Sequence, residues 1–229
     1  MEEKSKLNIV KDREETTDTK KEAPTKTRHD LQFGRRLFHF INGFTIAMAY
    51  KYFFTHTRIV SILGTIACTA YIFEQLRLAY PELFKKFSWF TNIFLRAEEE
   101  LKESSMIPYA MAILLSILTF PKPYALIAIF TLAIADPLSA IFGIRFGKHR
   151  IVSHKSLEGS AAFFISTFFI SFFILYSGES DFFWITVGTS SLIALLSSIF
   201  EMLPIKLDDN LTIPLAVGFL AWICTGIFF

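Results

Sequence analysis

The chain has 229 residues, 52% of them hydrophobic, with 27 phenylalanines and a mean hydropathy of +0.44. This excess of apolar side chains excludes an ordinary soluble domain and points to an all-α, polytopic membrane protein. A net charge of only +2 gives no reason to expect a nucleic-acid partner, and the two cysteines, Cys68 and Cys224, each lie inside an apolar run rather than in a disulfide or metal-site pattern.

Residues 1–30 mix Lys, Glu, Asp and Thr with few large apolar side chains. They bury too little surface to offset the entropy of ordering and read as a disordered, charged tail. The tail lacks the apolar core of a secretory signal, and its acidic content does not suit a transit peptide. Residues 31–229 read as one membrane-embedded domain with about seven transmembrane helices, over residues 34–54, 58–73, 105–120, 124–142, 160–176, 182–200 and 211–229. The first opens on Arg35 and Arg36, with His39 and Asn42 continuing the same polar stripe at helical spacing. The second ends in Glu74 and Arg77, one helical turn apart, which is usually a structural ion pair. Residues 78–105 combine aromatic side chains with charges of both signs and resemble an interfacial helix rather than a span. The third span is short and turns through Pro121 and Pro123 into the fourth. The last is preceded by Asp208, Asp209 and Asn210, and Asp209 or Asn210 suits the N-cap of that helix.

The fourth span carries a carboxylate, Asp136, inside its apolar run, with Pro137 directly behind it. A charge at that depth costs on the order of 2.5–3.5 kcal/mol on insertion scales, so Asp136 is expected to face a polar cavity or a cation. Pro137 cannot donate a backbone hydrogen bond and strains the turn before it. In regular helical register Ala133, Asp136, Ala140 and Gly143 share one face, a narrow groove with one charge in it. The chain then passes through Arg145, Lys148, Arg150 and Lys155 before the next apolar run begins at Ser156, Leu157, Glu158, Gly159 and Ser160.

Singly, these features have plain explanations, since an Asp-Pro pair is often a kink and a basic loop is often a topological signal. Jointly they say more. Counting loops on alternate sides places most basic residues on one face, predicted to be cytoplasmic with the N-terminus. The same arrangement gathers Arg35, Arg36, His39, Glu74, Asp136, Lys148, Lys155, Glu158, Glu201, Asp208 and Asp209 at that face. Carboxylates and cations without a Cys or His cluster suit a hard divalent ion and phosphates rather than zinc. No phosphate-binding loop of the G-x-x-x-x-G-K-[ST] kind and no protein-kinase signature is present in the sequence.

The motifs Arg35-Arg36-Leu-Phe-His39, Glu74 with Arg77, IADPLSAIFGIRFGK, KSLEGS, and Glu201 followed by DDNLTIP resemble the CTP-dependent lipid kinase family. That family includes dolichol kinase, phytol kinase, the yeast-type diacylglycerol kinase and bacterial diacylglycerol/polyprenol kinase-like proteins, and it is related to phosphatidate cytidylyltransferase. The resemblance runs from about residue 34 to residue 214, with Arg-Arg where many members have Arg-Lys. It implies transfer of the γ-phosphate of CTP to the hydroxyl of a membrane lipid alcohol, with Mg²⁺ or Ca²⁺ as the ion. By position it implies Asp136, Glu158 and Arg36 as catalytic candidates. Arg35, Arg36, His39, Gly143, Gly147, Lys148, Lys155, Ser156 and Gly159 become nucleotide or phosphate contacts. Asp136, Glu158, Glu201, Asp208 and Asp209 become metal ligands, and Glu74, Arg77 and Asn210 supporting residues. Two other functions share parts of the pattern. A cytidylyltransferase would use the same CTP and ion but release pyrophosphate, and a transporter would also show broken helices and buried charge. The sequence shows no internal repeat, and its charges cluster at one face rather than at the midplane.

Overall fold

In lipid, backbone polar groups must be satisfied within the chain, so long apolar runs become helices. The computed structural model describes residues 28–80, 106–152, 155–205 and 207–228, and Gly34–Phe229 forms one compact unit. Its elements are α1 (Arg28–Tyr52), α2 (His56–Ala79), α3 (Met106–Thr119), α4 (Lys122–Phe130), a π-helical turn (Thr131–Ala135), α5 (Asp136–Phe146), β1 (Arg150–Val152), β2 (Lys155–Ser156), α6 (Leu157–Leu175), α7 (Phe183–Met202) and α8 (Asp209–Phe228). Since α4, the π turn and α5 run on without a break, seven continuous helices are described, as the sequence predicts. Five of them, α2, α4–α5, α6, α7 and α8, are long and apolar enough to cross a membrane, while α3 is apolar but shorter. The expectations for the tail and for most of the interfacial segment fall on residues outside the described ones.

The α4–α5 helix is the centre of the bundle. In its most apolar stretch 67% of residues are buried, against 39% or less in the other four long apolar helices. One apolar cluster gathers Tyr50, Ile113, Ile129 and Leu132 from α1, α3, α4 and the π turn. A second gathers Ile127, Phe163, Ile193 and Val217 from α4, α6, α7 and α8. The π turn answers the strain at Pro137: the Asp136 amide donates to the Thr131 carbonyl five residues back, which widens the turn immediately before the proline. The widening also corrects the predicted groove. Asp136, Ala140 and Gly143 line a cavity together, whereas Ala133 sits deeper, packed against Gly43 of α1.

Small residues set the helix spacing near the site. A Cβ on Gly159 of α6 would lie 2.8 Å from the Ser139 carbonyl of α5 and 3.3 Å from Gly143 Cα, so the two helices meet backbone to backbone. Across α6 and α7, Ser198 Oγ donates to the Ser160 carbonyl at 3.1 Å. The predicted basic loop between α5 and α6 is in part a two-stranded antiparallel hairpin, pairing Arg150 with Ser156 and Val152 with Lys155. At the far end Lys122 Nζ donates to the Lys51 carbonyl at 3.1 Å, tying α4 to α1.

Gly159→Ala must push α5 and α6 apart, because its two nearest neighbours across the contact are backbone atoms that cannot rotate away. We expect a loss of about 1–3 kcal/mol, read as a lower Tm in detergent. Gly64→Ala, whose new Cβ meets nothing within 4 Å, should leave Tm unchanged or slightly raised.

Candidate functional site

Two cavities open at the same end of the bundle and share walls. The larger, about 470 Å³, is lined by Arg36, His39, Asp136, Asp208, Asp209 and Asn210, with Pro137, Ala140, Ile205 and Leu207 beneath. The smaller, about 320 Å³, is lined by Arg36, Asp136, Arg150, Lys155, Glu201 and Asp209, with Ser139, Ala140, Gly143, Ser156, Gly159 and Ser160 forming its small-residue floor. Arg36, Asp136 and Asp209 belong to both. The first turns of α6 and α8 supply lining residues, Gly159 and Ser160 from one and Asp209 and Asn210 from the other, and a helix N-terminus favours anions nearby.

Each wall is positioned by a local device. The Ser156 side chain accepts a hydrogen bond from the Gly159 amide at 3.2 Å and caps α6. Asp208 does the same for α8, accepting from the Asn210 amide at 2.8 Å, so the cap of that helix is Asp208 rather than the predicted Asp209 or Asn210. That leaves the Asp209 carboxylate to meet Lys155 Nζ at 3.2 Å. Lys155 also reaches Glu201 Oε1 at 3.1 Å, and Ser160 Oγ donates to Glu201 Oε2 at 3.1 Å, so the buried Glu201 is held on both oxygens. Burial pulls the Lys155 ammonium toward lower pKa, but Glu201 and Asp209 outweigh it and hold it above the ordinary lysine value. A raised value means that the charge, and the stability tied to it, is fully present at neutral pH and is lost only as pH climbs past the lysine range. Asp136 differs from its neighbours. Its backbone carbonyl accepts from Ser139 Oγ at 3.0 Å, yet among the described residues its carboxylate makes neither a hydrogen bond nor an ion pair.

The structure thus gathers most of the predicted residues and sets others apart. Arg36, His39, Asp136, Gly143, Lys155, Ser156, Gly159, Glu201, Asp208, Asp209 and Asn210 line one or both cavities. Glu158, predicted as a catalytic or metal-binding carboxylate, turns to the base of the hairpin instead, pairing with His149 Nδ1 at 2.9 Å and with the His149 amide at 3.2 Å. The KSLEGS motif marked it as a site residue, but its carboxylate is taken up by His149 at the base of the hairpin. Lys148 is exposed and lines neither cavity, and Gly147, packed against the Gly143 carbonyl and Ser156, serves helix approach rather than ligand approach. Glu74 and Arg77 form a buried two-point pair at 2.7 and 3.0 Å on α2, lining neither cavity, which is the structural reading of that motif. The side chain of Arg35 lies outside the described residues. Arg150, Ser139 and Ser160 are wall residues that the sequence did not single out. Arg150 stood in the basic loop, and only the strand pairing brings it back over the cavity. No group of three or more His, Cys, Asp or Glu side chains close enough to hold a metal ion by themselves occurs among the described residues.

No family model matches the chain, and no solved structure does. An uncharacterised protein of Methanocaldococcus jannaschii is 30% identical over 190 residues, covering 81% of this chain and 90% of that protein. The chain belongs to the same family as that protein. It is also similar to two plant proteins. A probable chloroplastic phytol kinase 1 of Oryza sativa subsp. japonica is 24% identical over 211 residues, covering 86% of this chain and 66% of the plant protein. Chloroplastic phytol kinase 1 of Arabidopsis thaliana is 33% identical over 142 residues, covering 57% and 46%. The chain therefore matches about half to two thirds of the length of these plant relatives. Similarity to phytol kinases agrees with the motif resemblance at the level of a lipid kinase.

Lys155→Ala would leave the buried Glu201 without its cation. We expect a loss on the order of 2–3 kcal/mol, toward the lower end for a buried pair because Lys155 keeps some exposure, measured as a drop in Tm. Lys148→Ala, at an exposed position, should stay within about 0.5 kcal/mol of the unaltered protein.

Proposed function

We propose that the protein is an integral membrane kinase that transfers the γ-phosphate of CTP to the hydroxyl of a membrane lipid alcohol. The observation that carries this reading is the Asp136 carboxylate, which has no partner among the described residues and opens on two cavities walled by cations and further carboxylates. Holding a charge there is costly unless a ligand uses it. Similarity to phytol kinases supports the lipid alcohol class of acceptor. The nucleotide, the ion and the side of the membrane are inferences from the motif resemblance and the charge distribution.

In this reading the smaller cavity takes the phosphates. Arg36, Arg150 and Lys155 face that space, and phosphoryl transfer depends mainly on positioning and on neutralising charge. Asp136, Glu201 and Asp209 are oxygen donors on the same walls. They do not form a complete cation cage, which suits Mg²⁺, an ion that commonly takes one or two carboxylates together with substrate phosphates. Mg²⁺, when bound, would neutralise phosphate charge there. The acceptor hydroxyl enters from the larger cavity. Its oxygen forms the new bond to the γ-phosphorus, the bond from that phosphorus to the bridging oxygen breaks, CDP leaves, and the hydroxyl proton passes to the Asp136 carboxylate. A site at headgroup depth reconciles a soluble nucleotide with a lipid acceptor.

Purified protein incubated with γ-labelled CTP, Mg²⁺ and a panel of lipid alcohols should yield labelled lipid phosphate and CDP. Release of pyrophosphate with formation of a CDP-lipid would instead make the protein a cytidylyltransferase. Asp136→Asn should lower turnover by about 100-fold or more while leaving the protein folded, as judged by an unchanged Tm. Near-normal turnover would remove Asp136 from the chemistry. For the orientation, Lys148→Cys and Ser177→Cys in a background lacking Cys68 and Cys224 should label from opposite sides of sealed vesicles, with position 148 on the cytoplasmic side. Labelling of position 148 from outside would reverse the topology.

A further inference from the structure

Lys155 reaches from the hairpin into a tripod of oxygens. Its Nζ lies 3.1 Å from Glu201 Oε1, 3.2 Å from Asp209 Oδ2 and 2.5 Å from the Glu201 carbonyl at the end of α7. An ammonium has three protons to donate, so while it sits there this side chain has none left for a phosphate. Both carboxylates are positioned from behind. Ser160 Oγ takes the other Glu201 oxygen at 3.1 Å, and Asp208 makes the cap of α8, which leaves the Asp209 carboxylate to turn toward the cavity. One ammonium against two carboxylates leaves a negative charge uncompensated. Asp136, whose carboxylate makes neither a hydrogen bond nor an ion pair among the described residues, adds a third carboxylate on the wall of the same cavity.

We propose that Lys155 and a divalent ion compete for one seat: the oxygens that hold the ammonium are ligands of the ion, and binding of the ion releases Lys155 to the phosphates of the nucleotide. The inference rests on the kinase reading for the phosphates, while the competition stands on the tripod alone. Two carboxylates and a carbonyl are hard oxygen donors of the kind that Mg²⁺ and Mn²⁺ take, and two carboxylates balance a divalent charge in full. The ion and the ammonium exclude each other. Mg²⁺ draws its oxygens to about 2.1 Å, and an ammonium kept among the same oxygens would set like charges in contact. The four-carbon stem of a lysine is flexible, so the ammonium can leave by a change of rotamer while the hairpin stays in place. It lies on the wall of the smaller cavity, where Arg36 and Arg150 also stand, and so moves toward the space assigned to the phosphates. Ion and nucleotide are thereby coupled, since the one evicts the lysine and the other receives it.

The first measurement uses the unaltered full chain in phosphatidylcholine nanodiscs and needs no turnover. Lysines are modified by brief reductive methylation with and without Mg²⁺, and the rate at each position is read by mass spectrometry. Mg²⁺ should raise the rate at Lys155 by about five-fold or more, because an ammonium that has lost its carboxylate partners gives up its proton more readily. Lys148, exposed and outside both cavities, serves as the unchanging reference. A rate at Lys155 that Mg²⁺ leaves unchanged or lowers overturns the proposal. Adding CTP together with Mg²⁺ should slow Lys155 again, and release by Mg²⁺ without that protection leaves the competition standing while the nucleotide reading fails. The second measurement is Mn²⁺ affinity, read by electron paramagnetic resonance in the same nanodiscs well below the Tm of each variant. Lys155→Met removes the competitor, so its Kd for Mn²⁺ should fall about ten-fold or more below that of the unaltered protein. A lysine that only binds phosphate would leave this Kd unchanged, and one that shapes the metal site would raise it; either result overturns the proposal. Lys155→Met combined with Glu201→Gln should lose the gain in affinity. A gain that survives the second substitution puts the ion elsewhere and also overturns it.

Discussion

A carboxylate on a helix that is itself buried in the middle of a membrane bundle constrains everything around it. Asp136 cannot be turned toward lipid, and its helix is the most enclosed of the long apolar helices, so the bundle must open a polar space beside it. The two cavities are that space. Their walls come from the start of α1, from α5, from the hairpin, from the start of α6, from the end of α7 and from the start of α8, all at one end of the bundle. The π turn before Pro137 belongs to the same constraint, because it lets the helix continue through a proline and so carries Asp136 on an intact central rod.

Holding those walls together takes close packing, because lipid offers no hydrophobic drive for helices to associate. Gly143 and Gly159 let α5 and α6 touch along their backbones, and Ser160 and Ser198 stitch α6 to α7. The same Ser160 hydroxyl holds Glu201, so one residue serves both the packing of the bundle and the carboxylate beside the cavity. Lys155 completes the arrangement from the hairpin, joining the ends of α7 and α8 through Glu201 and Asp209. Charge pairing and helix spacing are therefore one problem at this end of the molecule.

The all-α class, the helix count, the strained turn before Pro137 and the gathering of Arg36, Asp136, Lys155, Glu201 and Asp209 at one end were legible in the sequence, because hydropathy and loop alternation fix which ends of membrane helices meet. Side-chain direction was less legible. Glu158 and Asp209 both sit in the first turn of a helix, yet one faces a histidine on the hairpin and the other faces the cavity. Nothing local distinguishes them. Ala133 was placed one turn wrong because a π turn breaks the 3.6-residue register from which a shared face is inferred. Arg150 was read as one cation of a basic loop and not as a cavity wall, because short strand pairing within the ten residues between two helices leaves little periodicity to read. Gly143 and Gly159 stand both where α5 meets α6 and on the wall of the smaller cavity, a double placement that spacing alone does not reveal.

Arg36, Asp136 and Asp209 wall both polar cavities at once. Whatever fills one of them therefore alters the electrostatic surface presented to the other, and the two occupants are thermodynamically linked without any movement of the helices. Linkage of that kind is reciprocal: the factor by which the first occupant changes the affinity of the second equals the factor by which the second changes that of the first. A partition made of three charged side chains is thus also a coupling device, and its sign is set by the charges that the two occupants bring to it.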